Sequence, residues 1–133
     1  MAQKAAQQLT LVFAHKLFVL DGQARALSPK TLAVYGEQLT WFEQYAVTVD
    51  ITLVCDVEPS LLKSYLIHLQ QKGWQPASVH IAFRVLRTFF RFLHADGLVP
   101  DNLMARVRAP KLPPKELPAF GEDEIRRLLA AAQ

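Results

Sequence analysis

Arg84, Arg87 and Arg91 recur at steps of three and four residues, with His80 and His94 in the same series. At the ~100° per residue of an α-helix, these five side chains fall within one arc of about 80°. Val79, Ala82, Phe83, Val85, Leu86, Phe89, Phe90, Phe92 and Leu93 fill about half of the circumference. A helix divided in this way presents its charge in a single direction. Arginine offers five donors in a planar fork, which suits phosphate oxygens and the edge of guanine, and an α-helix fits the major groove of B-DNA. Basic residues on an exposed helix are usually only solvated. An ordinary exposed helix mixes signs to gain i,i+4 pairs, however, and no Asp or Glu occurs here between Pro76 and Ala95. The pattern therefore points to a polyanionic partner. His80 and His94 are its weaker members, because such histidines are more often neutral surface or interface residues.

A second candidate lies at Ser28, Lys30 and Thr31, where two hydroxyls and an ammonium stand at a predicted helix start. Free backbone amides at a helix N-terminus favour phosphate. Ser28 acting only as a cap, with Lys30 and Thr31 incidental, is the plainer alternative. Arg106, Arg108, Lys111 and Lys115 form a third group in a proline-rich stretch. There they either track a phosphate backbone or keep the stretch soluble.

No catalytic constellation accompanies these groups. Asp56/Glu58 and Asp123/Glu124 sit at connector or helix-start positions, where carboxylates favour the helix dipole. No nucleophile stands with a positioned base, and the five glycines never cluster into a phosphate loop. Four scattered histidines and one cysteine lack the spacing of a zinc site. Neither a cofactor nor a small-molecule substrate is expected. The lone Cys55 rules out an internal disulfide framework, reads as a small core residue, and fits a reducing cytoplasm.

At 133 residues, with 51% hydrophobic and 20% charged side chains, the chain can bury a core without metals or disulfides. No apolar run approaches the ~20 residues that span a bilayer, and no signal peptide is expected. The formal net charge of +3 is unevenly placed. Six bases balance six acids from Met1 to Gln75, and seven bases meet two acids from Pro76 to Lys115, giving +5 there. Two arginines then meet four acids from Glu116 onward, giving −2. The excess positive charge is concentrated where a surface facing phosphates needs it.

These residues require helices to position them. Leu9, Val12, Phe13, Leu17 and Leu20 predict a first helix over roughly Gln7 to Ala26, with Gly22 weakening its end. Ser28-Pro29 predicts a second start. That helix should bury Leu32, Tyr35, Leu39, Phe42 and Ala46, with Val34, Trp41 and Tyr45 alongside. The β-branched run Val47 to Val54 has no second strand pattern to pair with, so it reads as an extended connector. A third helix is expected from Glu58-Pro59 through Leu61, Leu62, Tyr65, Leu66 and Leu69, ended by Gly73. The fourth runs from Gln75-Pro76 to His94, with Asp96-Gly97 as the stop. Pro100 to Pro118 mark an extended segment, and a last amphipathic helix starts after Gly121 with Ile125, Leu128 and Leu129. The expected class is all-α: a four-helix bundle, a proline-rich linker and a short terminal helix.

The order of these pieces resembles the N-terminal part of tyrosine recombinases and phage integrases. LSPKTLAVYGEQLTWFEQYA is similar to the family's second helix, with its Ser-x-x-Thr start, a Tyr and an aromatic-rich end. QPASVHIAFRVLRTFFRFLHADGLVPDNLMARVRAPK is similar to its fourth helix and exit, and ELPAFGEDEIRRLLAAA to the segment that opens the catalytic domain. The resemblance covers about residues 8 to 131. It implies a SAM-like core-binding domain over residues 1–108, a linker over 109–120, and over 121–133 the first helix of a catalytic domain beyond Gln133. In that family the domain forms half of a clamp around duplex DNA, its second and fourth helices toward the major groove. Ser28, Lys30, Thr31, His80, Arg84, Arg87 and Arg91 would then face DNA, and Lys111 would sit where the linker crosses the backbone. The implied partners are double-stranded DNA and other recombinase protomers, in the cytoplasm and with no membrane. Two departures stand out: Leu103 follows Asn102 where the family has proline, and Gly121 replaces the usual Ser or Thr cap. Tyr35, Tyr45 and Tyr65 read as core or half-core positions, so none is expected to be a nucleophile. The competing readings are a helical protein–protein adaptor, with the aromatic second helix as its surface, and a free-standing helix-turn-helix regulator.

Overall fold

Three of the four α-helices begin at a proline, whose fixed φ suits the first helical position and whose missing N–H costs nothing there. In the computed structural model, which describes residues 8–112, the helices are α1 (Leu11–Ala24), α2 (Pro29–Thr48), α3 (Pro59–Gln71) and α4 (Pro76–Ala95). Short 3-10 turns cover Val54–Asp56 and Leu103–Arg106. Among the described residues the class is all-α, with one isolated bridge, Thr10 to Leu53, in place of any strand. The expected terminal helix after Gly121 lies outside the described residues.

All four helices end in the same way. A residue with positive φ follows the cap, at Ala26 (58°), Asp50 (61°), Gly73 (89°) and Gly97 (73°). The amide after each reaches back five residues: Leu27 to Gly22, Ile51 to Ala46, Trp74 to Leu69 and Leu98 to Leu93, all at 2.8–3.1 Å. This left-handed closure satisfies terminal carbonyls that would otherwise lack partners. Glycine supplies it without strain at Gly73 and Gly97, whereas Ala26 and Asp50 adopt it at a cost.

The core is aromatic and centres on α4. Phe18 of α1 meets Tyr35 of α2 at 5.2 Å and both Phe89 and Phe92 of α4 at 5.4 Å between ring centroids. Phe42 of α2 packs edge-on against Tyr65 of α3 at 5.1 Å and Phe90 of α4 at 6.4 Å. Eight α4 residues are buried: Val79, Ala82, Phe83, Val85, Leu86, Phe89, Phe90 and Leu93. This helix packs against the other three and against the 103–106 turn.

The structure corrects several expectations. α1 starts at Leu11, not near Gln7, because Thr10 caps it by accepting the Phe13 amide at 3.1 Å. It ends at Ala24 rather than Ala26, where the chain turns left-handed. Its buried face is Leu11, Ala14, Phe18 and Gly22, while Val12, Phe13 and Leu20 are more than half exposed. Apolar spacing alone could not identify the face, because apolar residues surround this helix. α1 runs through Gly22 and ends two residues later, and a Cβ there would come within 2.6 Å of Leu32 Cδ2. Close approach of the following α2 start is its role. Val47 and Thr48 belong to α2, Val49 to Ile51 close back onto its end, and only the last part of the connector meets a second segment, with Leu11 N–H donating to Thr52 O and Val54 N–H to Leu9 O, both at 2.8 Å. Cys55 is exposed rather than core, its Sγ 3.8 Å from Asp56 Oδ1. The proline-rich segment is not extended at its start: Val99, Met104 and Val107 are buried, and Asn102 caps the 3-10 turn by accepting the Met104 amide at 3.2 Å.

The shared helix ending makes opposite substitutions informative. Ala26→Gly should raise the unfolding free energy by about 0.5–1 kcal/mol, and Gly97→Ala should lower it by about 1 kcal/mol. Urea midpoints measured at constant slope would show both shifts. No change at either site would mean these ends are not held left-handed.

Candidate nucleic-acid interface

With one side of α4 committed to the core, its exposed positions are fixed. Arg84, Arg87, Arg91 and His94 are exposed, and His80 is half-buried. The stripe expected from the sequence therefore exists as a surface. Among the described residues the side-chain ion pairs are His15–Glu43 at 2.8 Å and Arg25–Asp21 at 3.0 Å, and neither involves α4. The three guanidiniums thus have no carboxylate partner among the described residues. Arg87 lies over the Phe83 ring, its Cζ 5.5 Å from the centroid. Such a contact holds the guanidinium over its own helix while leaving its donors available.

His80 marks the electrostatics of this face. Desolvation first, then the charges of Arg84 and Arg87, pull its pKa below the ordinary 6.5. The imidazole is therefore held neutral near pH 7 and can donate or accept without adding charge.

The α2 start is a different kind of site. Ser28 Oγ accepts the Thr31 amide at 3.1 Å and donates to Thr31 Oγ1 at 2.9 Å, so both hydroxyls are engaged with each other. The Leu32 amide goes to Ser28 O at 3.0 Å, and Pro29 has no N–H. That leaves the Lys30 amide, the exposed Lys30 side chain and the Thr31 hydroxyl proton as donors of this first turn. Capping is thus observed at Ser28 and Thr31. No hydrogen bond or ion pair among the described residues joins this turn to the α4 stripe.

Burial of Val107 brings Arg106 and Arg108 of the third basic group onto the bundle, while Lys115 lies outside the described residues. Arg106 and Arg108 line a groove of about 330 Å³ together with Lys63, Leu66 and Ile67 of α3. Lys63 was not singled out from sequence, because only the fold sets it beside the 106–108 segment. Lys111 is exposed and does not line this groove. Trp41, Trp74 and Tyr65 line another concavity that the sequence reading did not anticipate. No group of three or more potential metal ligands occurs among the described residues, and no described helix is long and apolar enough to cross a membrane.

The described residues thus form an all-α bundle with an exposed basic helix face. Residues 20–97 match the family described as "Phage integrase, N-terminal SAM-like domain", and the chain belongs to it. Among its relatives are tyrosine recombinase XerC of Pelotomaculum thermopropionicum, 31% identical over 110 residues, and XerC of Salmonella typhi, 32% identical over 109. Those alignments cover 78% and 81% of this chain, and 36% of each relative. Tyrosine recombinase XerD of Listeria monocytogenes is 29% identical over 121 residues, covering 90% of this chain and 39% of the relative. The chain thus spans little more than a third of the length of these curated relatives. No solved structure matches it.

The His80 environment can be tested directly. Replacing Arg84 and Arg87 together by Gln should raise the His80 titration midpoint, read from its ring protons by NMR, yet leave it below 6.5 because desolvation is the larger cause. With its folded value depressed, His80 favours the unfolded chain as pH falls below 6.5 and is neutral in effect above it. A midpoint unmoved by the double substitution would show that the stripe does not share one field.

Proposed function

We propose that this chain is the DNA-gripping domain of a site-specific tyrosine recombinase, holding duplex DNA through the exposed face of α4. The observation that carries the reading is the uncovered stripe Arg84, Arg87 and Arg91, which has no acidic partner among the described residues. Three guanidiniums at helical spacing supply phosphate contacts and bidentate donors for base edges in the major groove. Arg87 is preset by Phe83. His80, as a neutral donor or acceptor, is a further contact.

Ser28, Lys30 and Thr31 form the second phosphate contact in this reading. The Ser28 hydroxyl proton is engaged by Thr31 Oγ1, so the contact falls to the Lys30 amide and ammonium and to the Thr31 hydroxyl. Lys111 meets the backbone where the chain leaves the bundle. We further propose that residues 1–108 form the gripping domain, 109–120 the linker, and 121–133 the opening helix of a catalytic domain. Cutting and rejoining DNA belongs to that separate domain, which assembles with other protomers in the cytoplasm. In support, Tyr65 is buried, and Tyr35 and Tyr45 are half-buried in ring contacts, so no tyrosine stands as a free nucleophile.

Fluorescence anisotropy on a random duplex tests this reading. Affinity should fall steeply between ~50 and ~200 mM salt, as counterions are released from phosphates. The triple substitution Arg84→Ala/Arg87→Ala/Arg91→Ala should weaken binding and reduce the slope of log K against log salt by about 2 to 3. Binding indifferent to those arginines would remove α4 as the DNA face.

A further inference from the structure

The groove between α3 and the exit of the bundle combines two features that a finished surface rarely leaves together. Its charge comes from Lys63, Arg106 and Arg108, and its apolar lining from Leu66, Ile67 and Val107. Lys63 and Ile67 stand four residues apart, on one face of α3. Ile67 is 53% exposed, a large apolar side chain left in the open beside three cations. No Asp or Glu lines the groove, and none of those cations takes part in an ion pair among the described residues.

A phosphate backbone would use the cations but not Ile67. An amphipathic helix with carboxylates flanking its apolar face would use both. The chain carries such a segment. From Glu116 onward its net charge is −2, and the sequence predicts a helix after Gly121. At ~100° per residue, Ile125, Leu128, Leu129 and Ala132 fall on one stripe. Glu122 and Glu124 fall on either side of that stripe, with Arg126 and Arg127 further round.

The path of the chain brings the two together. Pro110 lines the groove, so the chain leaves the bundle from the groove's own edge. Leu112 is the last described residue, and the stretch from there to Gly121 reaches at most ~30 Å. A tether this short holds the segment at a local concentration on the order of mM, so a weak contact suffices. We propose that residues 122–132 dock in cis on this groove. Ile125, Leu128 and Leu129 cover Ile67 and Leu66, while Glu122 and Glu124 neutralise Lys63, Arg106 and Arg108. The contact seats the segment that follows the bundle against α3 and fixes the direction in which the chain continues. It does not rest on the DNA reading, and its test uses no DNA.

A nitroxide label on the full chain tests the docking. It is placed on Ala131→Cys in a Cys55→Ser background, at a position beside the stripe rather than on it. Amide signals of Lys63, Ile67 and Gln70 should be lost to paramagnetic broadening and return when the nitroxide is reduced, while those of the exposed α1 residues Val12 and Phe13 persist. Glu122→Gln/Glu124→Gln should restore much of the lost signal, as should ~1 M salt, where screening acts beyond about 3 Å. Ile67→Ser should restore the Lys63 and Gln70 signals in the same way. These residues are exposed or lie beyond the bundle, so a Tm equal to the parent's separates loss of docking from loss of the fold. Absence of broadening on α3 would overturn the proposal, as would broadening that the Glu122/Glu124 variant leaves unchanged. Mixing isotope-labelled chain without nitroxide and nitroxide-bearing chain without isotope should leave every signal intact. Broadening in that mixture would assign the groove to a second copy and overturn docking in cis.

Discussion

The burial of one side of α4 is the constraint on which the rest of the molecule depends. Eight apolar side chains on that helix are buried, and α1, α2, α3 and the 103–106 turn all pack against it. An arginine cannot replace any of the eight without an unpaired charge entering the core, which is far costlier than losing a packing contact. The register of α4 is therefore determined from both sides. The periodicity that builds the core also aims Arg84, Arg87 and Arg91 outward, so core and charged face are one pattern read from opposite sides.

The surrounding elements preserve that geometry. Each helix ends in a left-handed closure that turns the chain sharply back, which lets short connections hold the bundle around α4. Phe18 ties α1 to both α2 and α4 through ring contacts, while Phe42 ties α2 to α3 and α4. The exit segment is held by Val99, Met104 and Val107, and this anchoring places Arg106 and Arg108 beside Lys63. Positive charge thus sits on rigid backbone rather than on a loose tail, and no acid on α4 cancels its field.

How much of this was legible in the sequence depended on how distinctive each local pattern was. α2, α3 and α4 were readable because Ser28-Pro29, Glu58-Pro59 and Gln75-Pro76 punctuate their starts, and glycine ends two of them. The α4 stripe was readable because its apolar and basic residues never mix. α1 was misread in its face and limits: with apolar residues all around, the choice of Ala14 over Phe13 is made by the partner helices, not by the helix itself. The close approach of Leu32 to Gly22 was not legible because the two lie ten residues apart in the chain. The Leu9–Leu11 pairing with Thr52–Val54 is similarly long-range and leaves no strand-like pattern in the first partner. The grouping of Lys63 with Arg106, and of Trp41 with Trp74, arises only when separate segments meet.

The central claim is that one helix face, set by the core, is the surface that meets DNA. Backbone amide NMR of the labelled chain during titration with a duplex, at a salt concentration where exchange is fast, tests it most directly. The account predicts that the largest perturbations fall on α4 around Arg84, Arg87 and Arg91, with a second group at the Ser28–Thr31 turn and little change on the exposed α1 residues Val12, Phe13 and Leu20. Perturbations centred on α1 or on the Trp41–Trp74 groove, with α4 unmoved, would contradict it.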